Sequence, residues 1–260
     1  MAADQTTSAV WNDQLLADPH HTPDKRTRVQ RMFAAIAPSY DLNNRVHSLW
    51  IDQRWRRRAV ALAQIQPADV VVDVACGTGD LALRFAMARP KSVIGIDFTY
   101  EMLPLAQRKI DRCSPHRAPI TLACGDAMRL PLPPACADVV SIAFGIRNVA
   151  NPAAAVAEFY RVLRPGGRLI ILEFSLPDNP LLRSLYNLYF RHVLPRTATL
   201  ISGDKTGAYK YLPESVNTFI DRQTMMQIMK TAGFDQVQQH PLTFGVCICY
   251  RGVKPTFQTP

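Results

Sequence analysis

Long hydrophobic runs are missing from this sequence of 260 residues, and none approaches the roughly 20 apolar residues that a membrane-spanning helix requires. The first residues, Met1–Asp4, lack the basic segment and apolar core of a secretory signal, so we expect a cytoplasmic protein. The six cysteines are scattered, with no CxxC pair, and no HxxxH motif is present. Neither a disulfide framework nor a metal site is therefore predicted.

Acidic residues are outnumbered, with 30 Lys and Arg against 21 Asp and Glu, and the net charge of +9 predicts an anionic partner surface. Nine of the basic residues lie between residues 25 and 58, opposed only by Asp41 and Asp52. Within this segment Arg54 and Arg56–Arg58 flank Trp55, an aromatic residue of the type found at membrane interfaces. We therefore expect residues 25–58 to attach the protein peripherally to an anionic membrane surface. The alternative is a solvated helix face that pairs locally with Asp41 and Asp52.

The chain divides by its patterning into a tail and one domain. Apolar runs that alternate with helical segments predict a parallel sheet with crossover helices. The predicted class is α/β, with a seven-stranded Rossmann-like sheet whose last strand is antiparallel. The predicted parts are a loose tail (1–24) and a single domain (25–260) composed of an N-terminal helical cap (25–66), a core (67–179), a helical insertion (180–218), and a closing helix with a hairpin (219–253).

A glycine-rich loop follows the first predicted strand, in the sequence DVACGTGD of Asp73–Asp80. Glycines allow a tight turn there and let the backbone approach a ligand at the carboxyl edge of the sheet. Asp97 ends the second strand, where a carboxylate can accept hydrogen bonds from both hydroxyls of a ribose. Gly77, Gly79 and Ala82 also match the spacing of NAD-binding loops, so this loop alone leaves two cofactor classes open.

The element after the third strand favours one of these classes. Asp126, within Gly125-Asp126-Ala127, can accept a hydrogen bond from the exocyclic amine of an adenine. The Pro-Gly-Gly turn at residues 165–167 and the final hairpin complete the layout of a class I S-adenosylmethionine-dependent methyltransferase.

Several longer segments resemble the quinone-biosynthesis C-methyltransferases, the family of demethylmenaquinone methyltransferase and the polyprenyl-methoxy-benzoquinol methylase. The resemblance runs from about Lys25 to Val253, and FGIRNV and HVLP followed by YLPES are its most specific motifs. The matching segments are Phe33–Asn44, Asp73–Asp80, Gly125–Pro131, Phe144–Val149, Arg161–Ser175, His192–Pro195 and Tyr209–Ser215.

The resemblance implies S-adenosylmethionine as cofactor, S-adenosylhomocysteine as product, and no metal. At one position, where many relatives carry a Ser before the FG of FGIRN, this chain has Ala143, so a hydroxyl contact would be absent. The cofactor-binding residues predicted from the loops and the resemblance together are Asp73, Gly77, Thr78, Gly79, Asp97, Asp126, Ala127 and Ala143.

The chemistry of ring methylation indicates the catalytic residues. A ring carbon becomes nucleophilic when a neighbouring hydroxyl is ionised, so the acceptor must be a reduced quinol, presented in line with the sulfur–methyl bond. Arg147 is predicted to stabilise the oxyanion, directly or through water, and the alternative is a salt bridge to a neighbouring helix. Asn148 and Tyr40 are predicted to orient the substrate. No proton acceptor is identifiable, so water is expected to carry the proton away.

The substrate predicted from the resemblance is a polyprenylated quinol. Leucines and aromatic residues of the insertion would cover its prenyl chain; the alternative is an ordinary buried helix. The GAYKYLP sequence of Gly207–Pro213 favours demethylmenaquinol over the ubiquinone precursor 2-polyprenyl-6-methoxy-1,4-benzoquinol.

More remote alternatives are an NAD-linked oxidoreductase, a nucleic-acid methyltransferase and a non-catalytic binding protein. Two familiar base-methylating motifs, Pro-Cys and Asn-Pro-Pro-aromatic, are missing, so no nucleic-acid partner is expected. A homo-oligomer is compatible with the sequence, which does not define the oligomeric state.

Overall fold

A computed structural model describes residues 10–113 and 116–256. The strands, in chain order, are β1 (Val70–Val74), β2 (Ser92–Asp97), β3 (Ile120–Cys124), β4 (Ala137–Ala143), β5 (Leu163–Phe174), β6 (Asp235–Leu242) and β7 (Cys247–Val253). They form one sheet in the order β3-β2-β1-β4-β5-β7-β6. Strands β1 to β5 pair in parallel, and β7 runs antiparallel to both β5 and β6. The predicted α/β class with an antiparallel last strand is confirmed.

Helices cover both faces of this sheet and its carboxyl edge. They are α1 (Asp13–Leu16), α2 (Lys25–Ile36), α3 (Tyr40–Ser48), α4 (Ile51–Ala63), α5 (Asp80–Met87), α6 (Leu103–Asp111), α7 (Pro152–Val162), α8 (Pro180–Leu188), α9 (Leu194–Ser202), α10 (Ala208–Asn217) and α11 (Arg222–Thr231). A π-helical turn, Tyr189–Val193, joins α8 to α9, and a 3₁₀ turn, Ile146–Asn148, follows β4.

The hydrophobic core lies on both faces of the sheet, because the central strands are almost continuously apolar. Val71 and Val72 of β1 point to opposite faces, and both are fully buried. One face packs against α7 and α11, and the other packs against α4 and α5. Because β1 to β4 are parallel, their carboxyl ends lie at the same edge of the sheet. Ligands bind at this edge in open parallel sheets.

The prediction of a loose N-terminal tail is wrong for the described residues 10–24. Trp11 is 1% exposed, and its ring stacks on that of Tyr211 with 4.4 Å between centroids. His20 Nε2 lies 2.9 Å from the carbonyl oxygen of Ser215. The segment contains too few apolar residues to show a period, yet it is anchored on α10.

The basic segment 25–58 is also less exposed than the sequence predicted. Lys25, Trp55 and Arg56 are buried, and Trp55 Nε1 donates a hydrogen bond to Thr243 Oγ1 at 2.8 Å. Trp55 is therefore a core residue of α4, packed beneath β5 and β7, and is not an interfacial aromatic.

The helical insertion leaves apolar side chains in solvent. Helix α8 has no buried residue, and Leu181, Leu185 and Leu188 are 69%, 56% and 59% exposed. The alternative of an ordinary buried helix is therefore wrong for α8. Within the described ranges, no helix has the length and apolar character needed to cross a bilayer.

Candidate active site

Two neighbouring cavities open at the carboxyl edge of the sheet. The first encloses about 810 Å³, including its open mouth, and is lined by the residues that follow β1 to β4, under a roof from α2. The second, of about 640 Å³, lies between α2, α3, α4 and α10. Phe33, Tyr40 and Phe144 line both cavities and form a shared aromatic wall.

Asp97 is fixed at the floor of the first cavity by two backbone amides. The N–H of Thr99 donates to Oδ1 at 2.8 Å, and the N–H of Gly77 donates to Oδ2 at 2.7 Å. Burial raises the pKa of Asp97 to about 6, and the two amides oppose this rise. Gly77 has φ +54°, and a Cβ there would meet nothing within 4 Å, so its backbone is open to a ligand. A carboxylate held in this way suits the paired hydroxyls of a ribose.

Asp126 lines the same cavity, as do Ala127 and Ala143. Its Oδ1 accepts a hydrogen bond from the N–H of Met128 at 2.9 Å, and its Oδ2 lies 3.1 Å from Arg26 Nη2. The predicted residues Asp97, Asp126, Ala127, Ala143 and Gly77 thus line one cavity. Two carboxylates set among apolar walls fit a nucleoside.

Thr78 was predicted to contact the cofactor, but its side chain turns away from the first cavity. Thr78 Oγ1 donates to Asp41 Oδ1 at 2.6 Å and accepts from Lys109 Nζ at 3.0 Å. Lys109 also contacts Asp80 at 2.5 Å, and Asp80 contacts Arg45 at 3.3 Å. This polar cluster ties α3 to the start of α5 and to α6, so the Thr78 hydroxyl holds the N-terminal helices on the core.

Asp73 and Gly79 likewise support the loop and do not line either cavity. Asp73 is buried, accepts a hydrogen bond from Ser141 Oγ at 2.7 Å, and has its pKa raised to about 7 by burial. Gly79 takes φ +83° before the first residue of α5, where an added Cβ would lie 3.3 Å from the Cβ of Ala106. Neither residue lines the first or the second cavity, and their predicted contact with the cofactor stays a prediction.

Arg147 lies on the wall of the second cavity in a buried ion pair. Its Nη1 donates to Glu173 Oε1 and to the carbonyl oxygen of Phe144, both at 2.7 Å, and its Nε donates to Ser215 Oγ at 3.3 Å. The sequence alternative of a salt bridge for Arg147 is therefore realised, although its partner comes from β5 and not from a helix. Much of its positive charge is balanced within the protein.

Tyr40 lines both cavities, whereas Asn148 lines the first cavity and contacts Tyr211 of the second. Asn148 Nδ2 donates to the carbonyl oxygen of Phe144 at 3.2 Å, and its Oδ1 accepts from the Tyr211 hydroxyl at 2.9 Å. Burial raises the pKa of the Tyr40 hydroxyl, which the charge of Arg56 opposes, so Tyr40 is a neutral hydrogen-bonding group.

Sequence reasoning missed the polar residues that line the second cavity from α3 and α4. Ser48 Oγ donates to Asp52 Oδ1 at 2.8 Å, and Arg56 Nη1 lies 3.7 Å from Asp52 Oδ2. The four-residue spacing of Asp52 and Arg56 would have indicated that these two residues share one face of α4. Within the described ranges no three His, Cys, Asp or Glu side chains are grouped as metal ligands would be.

The sequence model of the ubiE/COQ5 methyltransferase family matches residues 21–254. The chain belongs to this family. This methyltransferase is 46% identical over 232 residues to a demethylmenaquinone methyltransferase of Deinococcus radiodurans, covering 89% of this chain and 94% of that protein. It is 45% identical to a demethylmenaquinone methyltransferase of Thermus thermophilus, with coverages of 86% and 100%. It is 43% identical to a ubiquinone/menaquinone biosynthesis C-methyltransferase UbiE of a Geobacter species (strain M21), with coverages of 89% and 98%.

Solved structures agree with this methyltransferase in fold. A SAM-dependent methyltransferase of Thermotoga maritima aligns with a TM-score of 0.58 and 22% identity over 87% of this chain and 99% of that one. A structure of phosphoethanolamine N-methyltransferase 2 of Haemonchus contortus was determined in complex with S-adenosyl-L-methionine. It aligns with a TM-score of 0.55 and 15% identity, covering 76% of this chain and 52% of that one. The predicted family and the predicted S-adenosylmethionine-dependent methyltransferase activity are confirmed, and they displace the NAD-linked alternative.

Proposed function

We propose that this methyltransferase methylates a ring carbon of a polyprenylated quinol, and that the acceptor is demethylmenaquinol, which becomes menaquinol. The observation that carries the proposal is the shared aromatic wall, because it brings an aromatic-lined second cavity against the nucleoside-fitting one. The relatives from Deinococcus and Thermus, which match over most of their length, are named for demethylmenaquinone.

The first cavity would hold S-adenosylmethionine through the carboxylates of Asp97 and Asp126 and the open backbone at Gly77. The bound cofactor supplies a methyl group on a positively charged sulfur, and S-adenosylhomocysteine remains after transfer. Val74 and Met102 also line this cavity and would give the bound cofactor an apolar surface. Asp126 is bridged to Arg26, so α2 closes over this cavity.

The residues of the second cavity would favour the ionised form of the acceptor. The guanidinium of Arg147 contributes positive charge beside the ring, directly or through water, and its bond to the Phe144 carbonyl holds the shared wall in place. Asn148 and Tyr40 offer neutral hydrogen bonds that orient the ring. Water carries away the hydroxyl proton and the ring proton that the methyl group replaces.

The test offers radiolabelled S-adenosylmethionine together with demethylmenaquinol or with 2-polyprenyl-6-methoxy-1,4-benzoquinol, each with and without dithionite. We expect label in the menaquinol product, and only under reducing conditions, because the oxidised ring has no ionisable hydroxyl. Faster labelling of the benzoquinol would transfer the assignment to the ubiquinone pathway. Equal labelling without dithionite would contradict the phenolate chemistry.

We also propose that the protein meets its substrate at an anionic membrane surface, and that the contact lies on the insertion. The segment Pro180–Ser202 carries three exposed arginines and no acidic residue, beside its exposed leucines. Leu49 and Trp50, also exposed, directly follow Ser48 of the second cavity. His47 Nε2 lies 2.8 Å from Thr197 Oγ1, which joins that turn to α9. We call Leu49, Trp50 and the exposed side chains of Pro180–Ser202 the insertion surface.

Charge favours lipid over a second copy of the chain as the occupant of the insertion surface. A two-fold dimer would bring the same arginines face to face, and their like charges would repel. Near an anionic leaflet, each basic residue instead contributes about 1 kcal/mol of favourable binding free energy. We expect sedimentation with phosphatidylglycerol vesicles and little with phosphatidylcholine vesicles. Leu181→Asp with Leu185→Asp should abolish it, whereas Phe244→Asp, at an exposed turn outside this surface, should not. A dimer that dissociates in the double variant, without any vesicle binding, would assign the surface to self-association.

A further inference from the structure

Arg56 is a buried cation with unused hydrogen-bond donors. It is 7% exposed, and its Nε and Nη1 have no hydrogen-bond acceptor among the described residues. A guanidinium carries five N–H donors, and buried charged donors are costly when they lack acceptors. Its position on the wall of the second cavity therefore suits an acceptor that arrives with a ligand.

The neighbouring carboxylate does not satisfy Arg56, because other groups hold it. Ser48 Oγ donates to Asp52 Oδ1 at 2.8 Å, and Gln53 Nε2 donates to Asp52 Oδ2 at 2.9 Å. The approach of Arg56 Nη1 to Asp52 is 3.7 Å, which is beyond hydrogen-bond distance. Asp52 thus makes the burial of the charge tolerable while the donors stay available.

Arg56 also lies against the wall that the two cavities share. Its guanidinium carbon is 5.1 Å from the centre of the Phe144 ring. Among the charges that lower the pKa of the Tyr40 hydroxyl, Arg56 has a larger effect than Arg147. Arg147, by contrast, has its Nη1 shared between Glu173 and the carbonyl of Phe144. Of the two arginines, Arg56 is the one whose buried Nε and Nη1 have no hydrogen-bond acceptor among the described residues.

We propose that Arg56 is a catalytic residue that binds the ionised ring oxygen of the acceptor in the second cavity. The proposal rests on the proposed function, since it takes the acceptor to be a hydroxylated aromatic ring. The O–H bond of the ring breaks, its proton passes to water, and the oxygen accepts hydrogen bonds from the guanidinium. The electron pair left on oxygen makes the neighbouring ring carbon nucleophilic. The new carbon–carbon bond would form as the bond between the methyl group and the cofactor's sulfur breaks, and the displaced ring proton would pass to water. No oxidant or reductant takes part in this step.

The experiment measures the ionisation of a bound ring directly, with 1-naphthol as a soluble probe whose ionised form absorbs at longer wavelength. The bound probe is titrated with pH in the wild-type protein and in Arg56→Gln, Arg56→Lys and Arg147→Gln. Arg57→Gln is the matched control, because Arg57 is the next residue of α4 and is exposed. Thermal unfolding of each variant checks that the fold is retained.

We expect Arg56→Gln to lower the acid dissociation constant of bound 1-naphthol at least tenfold. Arg56→Lys should restore part of this loss, and Arg57→Gln should match the wild type. With a short-chain demethylmenaquinol, Arg56→Gln should lower kcat more than it raises KM and move the pH dependence of kcat to higher pH. An unchanged ionisation in Arg56→Gln, with a weakened one in Arg147→Gln, would overturn the proposal. That result would leave the proposed function intact, because the wild type would still methylate the quinol. A wild type that labels no quinol would refute the proposed function itself.

Discussion

The buried ion pair between Arg147 and Glu173 is predicted to dominate the stability of the site. The side chains are 5% and 2% exposed, and Arg147 Nη1 lies 2.7 Å from Glu173 Oε1. In Glu173→Gln the amide oxygen can still accept the hydrogen bond, but the guanidinium loses its counter-charge in a buried environment. Removing one partner of such a pair costs about 3–5 kcal/mol. We therefore expect Glu173→Gln to lower the free energy of unfolding by that amount.

Urea unfolding followed by circular dichroism measures this loss. With a denaturant slope of about 3 kcal/mol per M, the midpoint should fall by roughly 1–2 M. Lys210→Met is the control, because Lys210 and Asp13 form a 3.5 Å pair whose side chains are 64% and 89% exposed. Its effect should stay below about 1 kcal/mol.

A double variant separates the charge from the packing of this pair. Replacing both partners, as Arg147→Met with Glu173→Leu, removes both charges and keeps most of the volume. We expect it to be more stable than Glu173→Gln alone, because no unpaired charge remains. A Glu173→Gln protein within 1 kcal/mol of the wild type would refute this reasoning.

Three further predictions concern the cavities and the N-terminal segment. Because burial raises the pKa of Asp97 to about 6, the carboxylate is protonated below that pH, and calorimetry should show S-adenosylhomocysteine binding weaken there. Asp97→Asn should remove this pH dependence and weaken binding at pH 8 about tenfold or more, for a loss of about 1.5–3 kcal/mol. Trp11→Ala should cost about 3–5 kcal/mol in urea unfolding, whereas a loose tail would give no change. Gly145→Ala should cost about 1–3 kcal/mol in urea unfolding and weaken S-adenosylhomocysteine binding, because its Cβ would lie 2.6 Å from that of Ala75.

The sequence predicted the site residues whose position follows from the order of strands and helices in a parallel sheet. Asp97 ends β2 and Asp126 closely follows β3, so the alternation of strands and helices brings both carboxylates to the same edge of the sheet. Gly77 was predictable for the same reason, since the first loop of such a sheet approaches the ligand.

The side-chain directions and partners depend on contacts between distant segments, and these were not predicted. Thr78 turns to Asp41, which lies 37 residues earlier in the chain. Trp55 and Arg56 sit in a run of arginines that is typical of an exposed helix, yet β5 and β7 cover that side of α4. Helical spacing shows which residues share a face, but only packing shows which face is buried.

The N-terminal segment also has a consequence for biosynthesis. Lys25 Nζ donates to the carbonyl oxygen of Arg147, 122 residues away, and His20 contacts Ser215, 195 residues away. This segment therefore leaves the ribosome before its partners do, and it must wait until they have been synthesised. In contrast to chains that fold from their N-terminus as they emerge, this one can close the roof of its first cavity only after α10 has been made. A nascent chain arrested before residue 208 would contain the loops of the nucleoside-fitting cavity but not the anchor of its roof.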